Sequence, residues 1–277
     1  MKTKALTHLV LTVSLIVCSG SLFSQKTIKV KDFSNQLPKI QLEEKTPQKY
    51  LLTIDNQNFD IYGNPGSKSR ITAEYTRGLP NNAVRWNNVR IDQAQKPNKP
   101  FTEGAKQHDM EDYSYVVSEE MAKGTFFKVN SDADLQMKTL AWDMFTLEII
   151  AWDSWDSLKL NTEYQAKKIN TELNVEGLGS IENKDMRITW TGVTKENGKL
   201  CAIIQFNSMN NPLNFNASST KIKGRSHFWG NIYVALSDKQ IEYGELHEDV
   251  LMDIRMNGQE PGMKAYSTRR LALEKIH

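Results

Sequence analysis

The sequence predicts a mainly β (α+β) fold: a curved antiparallel meander sheet, or incomplete barrel, packed around one long helix. Three observations predict it. Long stretches after residue 157 alternate apolar and polar side chains, as half-buried strands do. An Asn-Gly pair, Asn197-Gly198, stands where two such stretches must reverse. One segment alone, Ser131–Ser157, carries helical spacing.

The chain opens as a secretory leader does. Lys2 and Lys4 precede an apolar core, Leu9–Val17, and the small residues Ser19, Gly20, Ser21 and Ser24 follow it. A signal peptide is therefore expected over 1–24, with export through the Sec pathway to the periplasm, the outer surface or the medium. Cys18 follows Val17 and not the Gly, Ala or Ser that precedes a lipidated cysteine, so lipidation is not expected. No later apolar run approaches the ~20 residues that span a bilayer.

Removing the leader leaves about 253 of the 277 residues, enough for one substantial core or two small ones. The 35 basic and 33 acidic side chains become 33 of each, because the leader holds two lysines and no acid. A balanced surface offers no footprint for nucleic acid or an anionic membrane. Cys201 is then the one cysteine, so no intrachain disulfide forms. It lies in LCAIIQF, a run that reads as a buried strand, where a cysteine packs as a small hydrophobe.

Residues 25–49 read as a polar, proline-containing arm or linker with one short strand, TIKV. A single β-rich domain is expected over 50–277. Within it, Tyr50–Tyr62 reads as two strands turning at Asn56–Asn58, and Asn64-Pro65-Gly66-Ser67 as a turn. Arg70–Tyr75, Val84–Ile91 and Tyr113–Val117 are strand candidates. Between the last two, Gln93–Asp112 is a long polar loop with Pro97 and Pro100, and 119–128 is ambiguous.

The helix is expected over about 132–155. Ser131 or Asp132 caps its start, and Asp132 and Asp134 suit the positive end of its dipole. Leu140, Met144, Leu147 and Ala151 form one apolar stripe. Met137, Ala141, Phe145, Ile149 and Trp152 form a second beside it, and so wide a face requires burial. Three tryptophans here are each followed by aspartate: Trp142-Asp143, Trp152-Asp153 and Trp155-Asp156. The pairs fit either a ligand platform or, more simply, core and rim rings with solvated aspartates. Their spacing does not fit propeller blades.

Strands are then expected at Leu160–Gln165, Ile169–Val175, Met186–Val193, Leu200–Asn207, Leu213–Ile222, His227–Leu236, Gln240–Met256 and Tyr266–Ile276. In the Gln240–Met256 run the apolar parity switches beside Gly244, which predicts a bulge there. In layout the region after Asp132 resembles the exported lipoprotein carriers of Gram-negative bacteria, whose half-barrel holds lipid in a lined hollow. That resemblance implies acyl-chain binding without chemistry.

No Gly-rich phosphate loop, GxSxG elbow, HExxH pair or paired-cysteine metal site is present, so no cofactor, metal or catalytic residue is assigned. His247, among Glu242, Glu245, Glu248 and Asp249, and His108, beside Asp109, Glu111 and Asp112, read as solvated acidic segments before metal sites. The segment GRSHFWGNIYV gathers Arg225, His227, Phe228 and Trp229 and suits a rim that meets an anionic head group. The first expectation is a non-enzymatic protein holding a hydrophobic, lipid-like molecule between helix and sheet. Its hollow would be lined by Phe145, Trp152, Trp190, Phe206 and Trp229, with Arg225 and His227 at the rim. A carbohydrate-binding or carbohydrate-active protein, with an open groove floored by Trp rings, is the second. A surface-assembly component with a filled core and no small ligand is the third.

Overall fold

The computed structural model describes residues 35–44, 46–118, 121, 132–167, 170, 172–175, 179–217, 219–256 and 262–277. The expected leader, the TIKV strand and the ambiguous stretch 119–128, Met121 excepted, lie outside them.

The chain is mostly antiparallel sheet. Strands β1 (Gln48–Asp60), β2 (Pro65–Leu79), β3 (Ala83–Ala94) and β4 (Tyr113–Val116) precede helix α1 (Asp132–Trp152). After it come β5 (Glu163–Gln165), β6 (Glu172–Val175), β7 (Gly179–Glu182), β8 (Arg187–Glu196), β9 (Lys199–Ala217), β10 (Thr220–Ala235), β11 (Ile241–Met256) and β12 (Met263–Ile276). Their order is β4-β3-β2-β1-β12-β11-β10-β9, and the sheet forks along the long β9. The Lys199 half of β9 pairs β8, while the Leu213 end pairs β7. The sheet does not close on itself, so it is a curved open sheet around a helix. Because β1 pairs β12, strands from before and after the helix share one sheet and one core.

Turn chemistry sets the reversals. Asn197 and Gly198 have φ of 49° and 78°, the two positive values that a type I′ turn requires, so β8 returns as β9 there. The expected break at Asn56–Asn58 does not occur. Asn56 pairs Arg269 on one side and Ser69 on the other, so its backbone is held within a single strand. The reversal comes at Asp60, whose carboxylate accepts from the backbone amides of Tyr62 and Asn64, each at 2.9 Å. Likewise Leu200–Asn207 and Leu213 form one strand, β9, and the expected Leu213–Ile222 strand straddles its turn into β10. The bulge in β11 falls at Glu242, two residues before Gly244, since Tyr233 pairs Tyr243 while Val234 pairs Ile241. At Gly230 on β10 a Cβ would lie 1.9 Å from the Glu245 carbonyl oxygen, so only glycine lets β10 and β11 approach there.

The helix ends at Trp152, and Trp155–Ser157 form a separate 3₁₀ turn. From Leu140 to Ala151 it is buried on nearly every side. Leu140, Met144, Leu147, Ile150 and Ala151 pack with Leu52, Ile54, Tyr75, Trp86, Ile204, Leu271 and Leu273 of the sheet. Ala141 and Phe145 on the second stripe pack against Met121, with Tyr115 and Val117 beside them.

Two acidic residues are buried with the helix. Glu148 is 3% exposed and accepts from the Tyr75 hydroxyl at 2.8 Å and from Arg77 at 2.5 Å. Asp143 is 6% exposed and meets the Arg269 guanidinium in close contact. The expectation of a solvated carboxylate beside Trp142 is thus corrected, because spacing puts Asp143 on the same face as Leu140 and Leu147. A third buried carboxylate, Glu242, meets Lys199 at 2.8 Å and Lys275 at 3.1 Å.

Residues 35–44 run along the helix's C-terminal end. The Trp155 indole donates to the Pro38 carbonyl at 2.9 Å, Leu37 enters the core, and Glu44 pairs Arg77.

Burial pushes the Glu148 pKa up, and Arg77 opposes that rise. The native carboxyl therefore holds its proton more tightly than the unfolded one. Arg77→Met removes the opposing cation and leaves a buried charge facing only Tyr75. We expect a loss of about 3–5 kcal/mol in urea unfolding at neutral pH. Between the unfolded pKa and the raised native one, folding takes up a proton, so lower pH favours the fold. The deficit of Arg77→Met should therefore shrink as pH falls from neutral toward the carboxylate range, and a deficit that grows would refute this account. Burial, aided by Glu242, also pushes the Cys201 thiol up to about 12. A chromogenic disulfide reagent should leave the native thiol unmodified at mildly alkaline pH and titrate it fully in guanidinium.

Candidate functional site

The concave face of the sheet carries three bands in register. The first is the apolar core under the helix. The second is a polar belt level with the middle of the helix, at Asp143. The third is an apolar shelf beyond it.

The belt assembles from five elements. Asp143 comes from α1, Arg269 from β12, Glu248 from β11, Ser226 from β10 and Asn183 from just after β7. Arg269 bridges two carboxylates, with Asp143 in close contact and Glu248 at 3.4 Å. Glu248 also accepts from the Ser226 hydroxyl at 2.6 Å. Burial pushes the Asp143 pKa up, while Arg269 pulls it down. Further along the belt, Asn211 accepts from the Lys184 amide at 2.8 Å and donates to the Ser208 carbonyl at 3.2 Å.

A bulge in β9 decides what lies beyond. Phe228 pairs Ser208 while Ser226 pairs Asn211, so Met209 and Asn210 together face one residue of β10. Asn210 has a φ of 66°, and its amide is capped by His227 Nδ1 at 3.0 Å. The insertion shifts the side-chain parity by one. Leu213 and Phe215 thereby face the concave side in place of Pro212 and Asn214. They continue into two paired rows: Leu213, Gly224, Met252, Ala265, and then Phe215, Ile222, Ile254, Met263. Phe215, Ile222, Met252 and Ile254 are only half-buried, and they lie outside the core cluster. The alternate residues Lys221, Lys223, Asp253 and Lys264 face the convex side.

A cavity of about 140 Å³ sits at the belt, between helix and sheet, walled by Trp142, Asp143, Thr146, Phe228, Glu248 and Arg269 among others. The Thr146 hydroxyl is buried there with no hydrogen-bond partner among the described residues. On the convex face a larger, more open groove of about 430 Å³ runs between Phe101 and Trp229. Its charged rim includes Lys68, Arg70, Asp249 and Arg270. Phe101, from the long loop after β3, lies 4.6 Å from the Lys68 ammonium and 5.2 Å from the Arg70 guanidinium.

The residues expected to line one hollow are dispersed. Trp190 and Phe206 meet in the core, where the Trp190 indole donates to the Gly192 carbonyl at 2.7 Å. Phe145 lies on the opposite side of the helix, against Met121. Trp152 caps the helix's far end, donating to the Lys239 carbonyl at 2.7 Å with Arg77 4.3 Å above its ring. Trp229 faces the convex side and stacks on His247 at 5.8 Å. Arg225 is exposed on that side too, and His227 buttresses the β9 bulge. Of the belt residues, the sequence points to Asp143 only within a Trp-Asp pair and to Glu248 only beside His247, and it does not point to Arg269. Their signal was an aspartate inside an apolar helical stripe.

Among the described residues no helix is long and apolar enough to cross a membrane. No protein-family model matches the chain, and a comparison with curated proteins finds no match. Among solved structures it is similar to lipovitellin, from work on lipid–protein interactions, with a TM-score of 0.41 and 11% identity. The match covers 83% of this chain, which spans 25% of the lipovitellin chain. A DUF1329 family protein from Desulfovibrio piger aligns at a TM-score of 0.14 and 6% identity, over 83% of this chain and 87% of that one. Alignments at these values assign neither a family nor a ligand.

Proposed function

We propose that the protein is an exported, non-enzymatic binder of a hydrophobic, lipid-like molecule, held on the concave face beyond the polar belt. The observation that carries this reading is the apolar shelf. A sheet that served only its own core would stay polar past the belt. Here the inward positions are apolar again for two more rows while the outward ones carry charge. The leader pattern of Lys2, Lys4 and Leu9–Val17 supports export, and the neutral balance of the rest suits a carrier that binds neither nucleic acid nor an anionic surface. The site so proposed replaces the one expected from Phe145, Trp152 and Trp229.

A second reading, carbohydrate binding, is favoured by the convex groove, because an exposed indole stacked on an imidazole offers a flat face to a sugar ring.

Native mass spectrometry of the protein purified from its export compartment, followed by organic extraction, should recover an acyl lipid. A fluorescent long-chain acyl probe should bind the purified protein and lose affinity at least about tenfold in the Ile222→Ser/Ile254→Ser double variant, since covering these two half-buried side chains is worth about 1.5 kcal/mol or more together. Trp229→Ala should leave that binding unchanged. A clean apo mass together with no probe binding would refute the carrier reading. A glycan-array signal lost in Trp229→Ala would establish the second.

A further inference from the structure

We propose that the small cavity at the polar belt takes the cationic head group of the ligand, a primary or quaternary ammonium. This rests on the carrier reading for the tail but has its own test.

Size comes first. A cavity of about 140 Å³ is well below the roughly 300–1,000 Å³ of pockets that enclose whole drug-sized ligands. It suits a few heavy atoms, not a chain. Its place follows from the sheet register. Ser226 on the cavity wall pairs Val250, and Ile181 pairs Leu213, so the cavity opens where the shelf begins.

Charge comes second. Asp143 and Glu248 share Arg269, which is the one cation among the described residues of the wall. Two carboxylates on one guanidinium leave a net negative site in a largely dry place, and uncompensated buried charge is costly. An anion there would worsen the imbalance, and an ammonium would relieve it. The Arg77 cluster also has two carboxylates on one guanidinium. The belt adds to this a cavity, on whose wall the buried Thr146 hydroxyl has no partner among the described residues.

Two further features fit a cation with donors or a soft methylated surface. The buried Thr146 hydroxyl has no partner among the described residues and can accept from an ammonium N–H. Trp142 and Phe228 supply aromatic rings on the wall, whose faces attract cations.

The test is a matched set of single-chain amphiphiles below their micelle concentrations: an alkyltrimethylammonium, an alkylamine, a neutral monoacylglycerol and an alkyl sulfate of one chain length. Calorimetry on the full chain should show the two cations binding at least about tenfold tighter than the neutral compound, and the sulfate weakest. Glu248→Gln, an isosteric change at a part-exposed residue, should bring the cation-to-neutral ratio close to one. Asp143→Asn should do the same if it folds. Equal affinities, or a preference for the sulfate, would overturn the proposal while leaving the shelf standing. Should no amphiphile bind, the carrier reading fails, and tetramethylammonium alone then decides the cavity. A rise in melting temperature at millimolar concentrations, absent in Glu248→Gln, would support the site. No rise in the wild type would overturn it.

Discussion

A helix buried on nearly all sides has no polar face to tell it which way to turn. Hydrophobic burial alone is almost indifferent to rotation about such an axis. In this chain the direction is supplied by two buried ion pairs, Glu148 with Arg77 of β2 and Asp143 with Arg269 of β12. The two acids are five residues apart, which separates them by about 7.5 Å along the axis and about 140° around it. Two such clamps on different sides fix both rotation and axial position. Buried pairs add little net stability over apolar replacements. We therefore read them as devices of registry, and everything else on the concave face is placed relative to them.

The belt is a consequence of this docking. Once Arg269 is committed to Asp143, the concave face must remain polar around it, and Glu248 and Ser226 complete the network. The core cannot extend past that point as a continuous apolar layer. That the face becomes apolar again on the far side is thus not a spillover of the core. It needs its own sequence device, the Met209–Asn210 bulge, without which Pro212 and Asn214 would face inward. A bulge costs ladder hydrogen bonds at the place where it occurs. Here it moves Leu213 and Phe215 onto one face with Ile222, Met252 and Ile254. The same bulge accounts for His227, whose imidazole caps the displaced Asn210 amide.

Much of the fold could be read from the sequence because it depends on local signals. Alternation along Arg187–Val193 and the Asn197-Gly198 turn each specify their outcome within a few residues. The wide helical face at Leu140–Ala151 does so as well. What could not be read depends on partners distant in the chain. Asn56–Asn58 looks like a turn until β12 and β2 pair it on both sides. Trp229 looks like a lining residue until the parity of β10 sends it outward. Asp143 looks solvated because nothing nearby in sequence announces Arg269, which is 126 residues away. The site followed the same rule. Aromatic residues drew attention by their type, yet charge placed on an apolar helical stripe was the better signal, since a buried acid demands a partner.

The energetics of the shelf bear on what must hold a ligand there. Fully burying one Leu-, Ile-, Phe- or Met-sized side chain is worth about 1.5–3 kcal/mol. Phe215, Ile222, Met252 and Ile254 are already half-buried, so covering them offers a ligand about 3–6 kcal/mol in total. Association itself consumes at least about 4 kcal/mol of that. An acyl chain lying on the shelf alone would therefore bind weakly, if it bound at all. Retention needs a second contribution from groups that are poorly satisfied without the ligand. The belt has such groups within reach of the shelf: a carboxylate pair sharing one guanidinium, and a buried hydroxyl with no partner among the described residues. A ligand that engages both bands gains from each at a single entropic cost, whereas a bare hydrocarbon gains from one. On the carrier reading the arrangement would therefore favour amphiphiles over oils, before any particular head group is specified.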